Sequence, residues 1–285
     1  MPTSSATRDH FERTAAFWRD VYGSPSVEGA VYLERQRKAL ALVDGLKLGP
    51  GAKAIEIGCG AGWNAVALAE RGLLVQATDP VEKMLRMTRE LAAARRVEKL
   101  VGVSCCAGEA LPFADESFDL AVGIAVMEWA DSPDLMLAEL SRVLRPGGHL
   151  ILSATNRCSL QRVMDPWFNP LWAPLKNWMS KQAHVGNRAH ARTHSSRDMD
   201  RLLGLGGLKK GECFTTGFGP FTFFKHKLFR GAAGARLHEH LERLAGGGWH
   251  VLARSGYAHL VRAQKPVSQP DSGDRKDEYS DTQAA

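Results

Sequence analysis

Residues Glu56-Ile57-Gly58-Cys59-Gly60-Ala61-Gly62 decide how this chain is read. A short apolar run, Ala54–Ile57, enters the stretch. A helical pattern with Val66 and Ala69 on one side leaves it. Glycines are required where a backbone turns sharply and lets a ligand come within contact distance. The free amides at the start of the following helix favour a ligand that carries negative charge. Roughly 20 residues further on, Asp79 closes the next apolar run, Leu73–Thr78. An acid at that place accepts both hydroxyls of a ribose, and each charge-assisted hydrogen bond is worth roughly 1.5–3 kcal/mol. Asp79 before Pro80 also reads as the N-cap and first residue of a helix, and the two roles are compatible.

The dinucleotide-binding spacing GxGxxG would need glycine at 63, where Trp63 stands. A bulky indole in that turn argues against a pyrophosphate passing close to the backbone, and so against a nicotinamide cofactor. The spacing here is GxGxG, with an acid two residues before it.

Outward from the turn, Leu100–Cys105, Phe118–Ile124, His149–Ala154, Glu212–Thr216 and Ala258–Gln264 read as further strands. Helical patterns alternate with them: one from Asp79-Pro80 with core positions Met84, Leu85 and Leu91, and one from Ser132-Pro133 to Pro146-Gly147-Gly148. Such alternation predicts an α/β fold, a Rossmann-like, seven-stranded, mostly parallel sheet with helices on both faces. Upstream, Phe11, Ala15, Trp18 and Tyr22 share one helix face, and a second helical pattern covers Val31–Leu46. Residues 1–45 are therefore expected to form a helical cap, and 46–266 the main domain. Within it the alternation halts after Asn156 for about 40 residues, which marks 157–198 as a lid insertion. Ser195-Ser196-Arg197-Asp198 then caps a helix over Met199–Leu203, and Leu237–Leu244 is helical. The polar stretch 267–285 lacks periodicity and is expected to be disordered.

The chain has 285 residues, 44% hydrophobic and 24% charged, which excludes collagen-like, coiled-coil and fully disordered classes. No uncharged run approaches the about 18 residues of a spanning helix. Arg8, Asp9, His10 and Glu12 stand where an export signal would be apolar. Five cysteines in no CxxC pattern set aside a disulfide framework or zinc site, and a cytoplasmic location is expected. The net charge is +6; the tail from Val267 carries −3, so residues 1–266 carry +9, of which +5 lies in 157–198. Such a patch suits an anionic ligand, a lipid headgroup surface or nucleic acid, or serves only as a solvated face.

Glu56–Gly62 resembles motif I of the class I S-adenosylmethionine (SAM)-dependent methyltransferases. Three more segments agree in order. Asp79–Leu85 resembles the ribose-binding strand end and its helix. Gly108-Glu109-Ala110-Leu111-Pro112-Phe113 with Phe118-Asp119-Leu120 resembles the adenine loop and fourth strand. Leu144-Arg145-Pro146-Gly147-Gly148 resembles the turn before the fifth. The nearest group in style is that of the ubiquinone/menaquinone-biosynthesis methyltransferases. The resemblance implies SAM as cofactor, with Glu56, Gly58, Cys59, Gly60 and Gly62 at its methionine part. It implies Asp79 on the ribose, Pro80 and Met84 against the adenine, and Gly108 and Glu109 at the adenine edge. Relatives often have Asp at the position of Ala107 and His at that of Trp129. Glu109 or a backbone carbonyl then replaces the first, and Trp129 makes an aromatic wall.

The acceptor is expected in the segments outside the core. Tyr22, Tyr32, Trp129, Asn156, Trp167 and Trp172 are the candidate substrate residues; Leu171, Leu175 and Trp178 are further apolar residues of the lid. Phe218–Phe224 adds to the same wall, or the lid aromatics simply pack on the core. Neither Asp165-Pro166-Trp167-Phe168 nor Asn169-Pro170-Leu171-Trp172 is an amino-methyltransferase tetrapeptide at strand four, so that chemistry is discounted. A general base is needed only if the acceptor arrives protonated. His194 is the first choice and His190 the second. The expectation is methyl transfer to a small apolar or amphipathic acceptor (quinol, phenol, polyketide or lipid-like), with possible peripheral membrane contact. An RNA methyltransferase, favoured by the +9 body but lacking an RNA-binding appendage, and a non-catalytic SAM-binding regulatory protein are the alternatives; nucleic acid is the weaker partner.

Overall fold

The computed structural model describes residues 5–169, 172, 191–224, 226–229 and 231–267. β1 (Lys53–Ile57) pairs in parallel with β2 (Leu74–Thr78) on one side and β4 (Phe118–Gly123) on the other. Four of its five residues are buried, as a strand covered on both faces requires. β3 (Val101–Ser104) lies outside β2, and β5 (Leu144–Thr155) lies outside β4, both in parallel. β9 (Ala258–Gln264) and β6 (Lys209–Thr216) complete the sheet in antiparallel fashion. Among the described residues the order is β3-β2-β1-β4-β5-β9-β6, seven strands. The chain steps one way from β1 to β2 and the other way to β4. The crevice outside the carboxyl ends of β1 and β4 is therefore the switch point where ligands bind in such sheets.

Alternation along the strands splits the core in two. Ile55, Ile57, Ala121, Leu150 and Leu152 face α5 (Pro133–Val143) and α7 (Ser196–Leu205). Ala54, Val75, Leu120, Val122 and Ile151 face α2 (Val27–Gly45), α3 (Trp63–Ala69) and α4 (Glu82–Ala94). Ser132 caps α5 through the Leu135 amide, with Pro133 at the first turn, and Ser195 and Asp198 form a reciprocal capping box on α7.

Two readings shift. α4 starts at Glu82 with Val81 as N-cap, so Asp79 is not the cap. Its carboxylate instead accepts the amides of Val81 (2.9 Å) and Gly60 (3.0 Å), which holds the glycine turn against β2. The helix after Ser132 ends at Val143, and β5 already begins at Leu144. The insertion contains α6 (Leu160–Met164). Lid residues Leu171, Leu175 and Trp178, and the tail from Ser268, lie outside the described residues.

α1 (Ser5–Asp20) packs Ala15 onto Val81 and Met84 of the segment after β2, with Phe11 and Trp18 beside them. A single helical turn, Val21–Gly23, joins it to α2. Two contacts pin α1 by its backbone: the Trp63 indole N–H donates to the Arg19 carbonyl (3.0 Å), and the Lys83 ammonium to the Glu12 carbonyl (3.1 Å). Downstream of β6 come a short hairpin, β7 (Thr222–Phe223) and β8 (His226–Lys227), then α8 (Gly231–Gly246) and α9 (His250–Ala253).

Gly62 precedes α3 at φ +86, and a Cβ there would lie 2.8 Å from the Thr88 backbone. Both the conformation and the helix contact require glycine. Gly62→Ala is expected to cost about 2–4 kcal/mol, from left-handed strain plus the clash with α4. Urea unfolding checks this; a midpoint unchanged from wild type would refute the contact.

Candidate functional site

The crevice at the switch point is a cleft with about 930 Å³ of unfilled space. Its floor is the turn Gly58-Cys59-Gly60-Ala61 after β1, and one wall is Asp79-Pro80 after β2 with Met84 of α4. Gly108 and Glu109 form the far end, Ile124-Ala125-Val126 the β4 side, and Phe11, Trp18, Tyr22 and Trp129 the aromatic roof. Trp129 stacks on His10 (5.4 Å between centroids) and takes Phe11 edge-on (5.1 Å). Gly60 has φ +54, and a Cβ on it would meet nothing within 4 Å. That glycine is free of packing demands and leaves the space above it to a ligand.

Asp79 is buried, and burial raises its carboxyl to about 6, against the lowering effect of the Val81 and Gly60 amides. Glu56 lies beneath the floor, fully buried, and burial pushes it up to about 8. Its Oε2 has no hydrogen-bond partner. Cys59 is buried with Sγ 3.5 Å from Thr88 Oγ1, and burial holds the thiol well above its ordinary range. The Glu109 Oε1 accepts the Asp131 amide (2.8 Å), so this side chain also anchors the loop before α5.

Two further cleft residues come from outside the motifs. Arg35 of α2 is buried and lines the cleft; its Nε has no partner, while its guanidinium hydrogen-bonds Tyr22 and its charge opposes the burial that raises the Glu128 carboxyl. The Tyr32 ring lies under its guanidinium at 4.9 Å from the centroid. Asn64, at the start of α3, accepts from Gln36 (3.1 Å). Arg35 had a sequence signal: Val27, Val31, Arg35, Ala39 and Leu42 form the buried stripe of α2, and a charge in the middle of such a stripe demands a reason.

Other predicted residues stand elsewhere. Gly62 packs on α4 and Tyr32 sits behind Arg35. Asn156 is buried; its amide donates to the Arg254 and Gly256 carbonyls and its oxygen accepts the Cys158 amide, so it braces the exit of β5. His194 bridges to Asn156 and lines a separate polar pocket with Arg157, Arg192 and Arg201. Burial keeps its pKa below the ordinary value. Trp167 and Trp172 do not line the cleft, and neither does Phe218–Phe224, whose Phe223 points to solvent. His190 lies outside the described residues.

An open sheet with a ligand cleft at its switch point, a glycine turn after β1, an acid after β2 and a paired antiparallel edge is the class I SAM-dependent methyltransferase fold. Within it, residues 55–152 match the family model described as a methyltransferase domain. Over 126 residues the chain is 37% identical to a malonyl-[acyl-carrier protein] O-methyltransferase of Erwinia pyrifoliae, covering 44% of this chain and 46% of that protein. Over 112 residues it is 32% identical to a ubiquinone biosynthesis O-methyltransferase of Idiomarina loihiensis, covering 38% and 44%. The chain thus spans about half the length of the curated relatives it matches. In fold it is similar to the magnesium protoporphyrin IX methyltransferase of Synechocystis, solved with S-adenosylhomocysteine (TM-score 0.60, 18% identity, 90% of this chain and 97% of that one).

The residues present fit SAM. Its amino acid end carries an ammonium and a carboxylate; Arg35 lines the cleft as a cation for the carboxylate, and Glu56, whose Oε2 has no partner, lies beneath the floor as an acid that an ammonium would ionise. The open Gly60 and the Asp79 carboxylate suit the ribose, and Met84, Met136 and Trp129 suit an aromatic base.

Proposed function

We propose that this protein is a SAM-dependent methyltransferase acting on a small, apolar or amphipathic acceptor: a quinol, phenol, polyketide or lipid-like molecule. The observation that carries this reading is the Asp79 carboxylate facing one cleft with the glycine turn and the buried Arg35. Acceptors of this kind, free or on a carrier, accord with the named substrates of the relatives. A cytoplasmic location accords with five unpaired thiols and with the lack of any described helix long and apolar enough to cross a membrane.

When bound, SAM would supply an electrophilic methyl on a sulfonium, open to displacement by an acceptor lone pair with the C–S pair left on sulfur. The chain's task is alignment and exclusion of water, and proximity alone contributes about 7–11 kcal/mol. Asp79 and Arg35 fix the two ends of the cofactor. Phe11, Trp18 and Trp129 keep the cleft dry. His194, in its separate pocket, does not reach the cleft; His190, outside the described residues, remains the proposed base for an acceptor that arrives protonated.

Calorimetric titration with S-adenosylhomocysteine, against NADH, tests the cofactor; binding of NADH alone would overturn the assignment. Transfer of labelled methyl to phenols, quinols and carrier-bound acids then tests the acceptor class.

The cofactor affinity is expected to depend on pH. Ribose hydroxyls donate to the ionised form of Asp79, whose pKa stands at about 6. Below that value a proton must leave first, so the Asp79 share of the S-adenosylhomocysteine affinity falls by up to about tenfold per pH unit and is flat above it, while Glu56, raised to about 8, adds a shallower dependence up to that value. The empty protein runs the other way: its raised pKa binds an extra proton between about 4 and 6, so this group's stabilising contribution is lost as pH rises through that window. Opposite slopes in titration and thermal unfolding are the expected result; parallel slopes would exclude Asp79 as their source.

A further inference from the structure

A buried carboxylate stands behind the cleft and has no part in the chemistry described so far. Glu128 sits on a single helical turn, Met127–Trp129, after β4, and is 5% exposed. Its neighbours Val126 and Trp129 line the cleft, but Glu128 does not. Two later segments fix it. The Thr155 hydroxyl, at the end of β5, donates to Oε1 (3.1 Å), and the Arg192 amide donates to the Glu128 backbone carbonyl (2.8 Å). Oε2 has no partner. Burial raises this carboxyl, and the charge of Arg35 acts against burial.

Arg35 therefore faces two ways. It lines the cleft, and its Nε is also without a partner, so the guanidinium is attracted to Glu128 without being locked to it. Tyr22, Tyr32 and Tyr257 surround the pair. Burial raises all three phenols, so they stay neutral and add no charge. Glu56 acts on Tyr22 and Arg162 on Tyr257, from outside the pair. A buried cation with an acid on the protein side and an open cleft on the other attracts a second carboxylate. The first one repels the newcomer and shares its cation, which weakens the hold.

We propose that Glu128 is the resident counter-ion of Arg35: it balances the guanidinium in the empty protein and, in the filled one, opposes the ligand's carboxylate and so limits how tightly the cleft holds it. A spent cofactor, which keeps the same carboxylate, then leaves more readily. The ligand half of this inference rests on the SAM reading; the stability half does not.

Glu128→Gln keeps the shape and the Thr155 contact but removes the charge. The expected result at neutral pH is S-adenosylhomocysteine binding about fivefold or more tighter than wild type, together with a lower melting temperature of the empty protein. 5′-Methylthioadenosine, which lacks that carboxylate, should bind both proteins alike. In the Arg35→Met background the same substitution should no longer tighten binding, and the double variant should recover the melting temperature lost in Glu128→Gln. If Glu128→Gln alone does not fold, a folded double variant supports the same pairing, and an unfolded one overturns it. Weaker or unchanged S-adenosylhomocysteine binding in Glu128→Gln would overturn the proposal. So would an equal change for 5′-methylthioadenosine, or a double variant no more stable than Glu128→Gln. Wild type that binds neither ligand would instead overturn the SAM reading, and the melting temperatures would then decide the counter-ion by themselves.

Discussion

Arg35→Met is expected to lower S-adenosylhomocysteine affinity by about 30-fold or more and, at the same time, to lower the melting temperature of the empty protein. The two effects have one cause. Arg35 is a buried cation set in the apolar stripe of α2, with an orphaned Nε, a hydrogen bond to Tyr22 and an attraction to the buried Glu128 carboxylate. Without ligand its loss leaves Glu128 buried with no cation beside it, at a cost of about 1–3 kcal/mol. With ligand it meets the carboxylate, and removing one partner of a buried charge pair costs about 2–5 kcal/mol. Arg35→Lys keeps the charge but loses the planar fork, so an intermediate affinity is expected. Affinity unchanged alongside a lower melting temperature would show that Arg35 holds the fold and not the ligand.

Asp79→Ala should be at least as severe, about 10²–10⁴-fold, because two charge-assisted hydrogen bonds of about 1.5–3 kcal/mol each disappear. Part of the loss is indirect, since Asp79 also holds the amides of Gly60 and Val81. Asp79→Asn keeps one acceptor oxygen and should fall between. The two sites are separable with 5′-methylthioadenosine, which has the ribose and base of SAM but no amino acid end. Its binding should be lost in Asp79→Ala and nearly untouched in Arg35→Met. Equal losses of this ligand in both variants would mean that the cleft is not oriented as described.

Much of the parallel half was legible because each signal there is local. Ala54–Ile57 into Gly58, Leu73–Thr78 into Asp79, and Ser132-Pro133 into α5 each combine a short apolar run with a turn residue whose conformation is forced. Arg35 escaped because its meaning is tertiary. A charge within an apolar stripe signals that a partner is needed, but only the approach of α2 to the glycine turn shows that its guanidinium faces a cleft. Asn156 misled for the opposite reason. A polar residue at a strand exit resembles a ligand contact, but the Arg254 and Gly256 carbonyls about a hundred residues later had already claimed its amide. Phe11, Ala15 and Trp18 read as a helix face with no stated target, and the chain folds Phe11 and Trp18 over the cleft.

The sheet changes direction just where the family resemblance ends. The family model stops at Leu152, within β5, the last strand paired in parallel to its predecessor; β9 and β6 beyond it run antiparallel, and α6, the hairpin, α8 and α9 hang from that edge. Among the described residues the cleft draws its lining from residues 7 to 136, all before that seam. Donor chemistry and the remaining surface are therefore carried by consecutive lengths of chain. The later length still braces the earlier one, Gly217 against Val31 and Glu242 on Lys38 of α2, so this fold is a socket whose appliance also holds it in the wall.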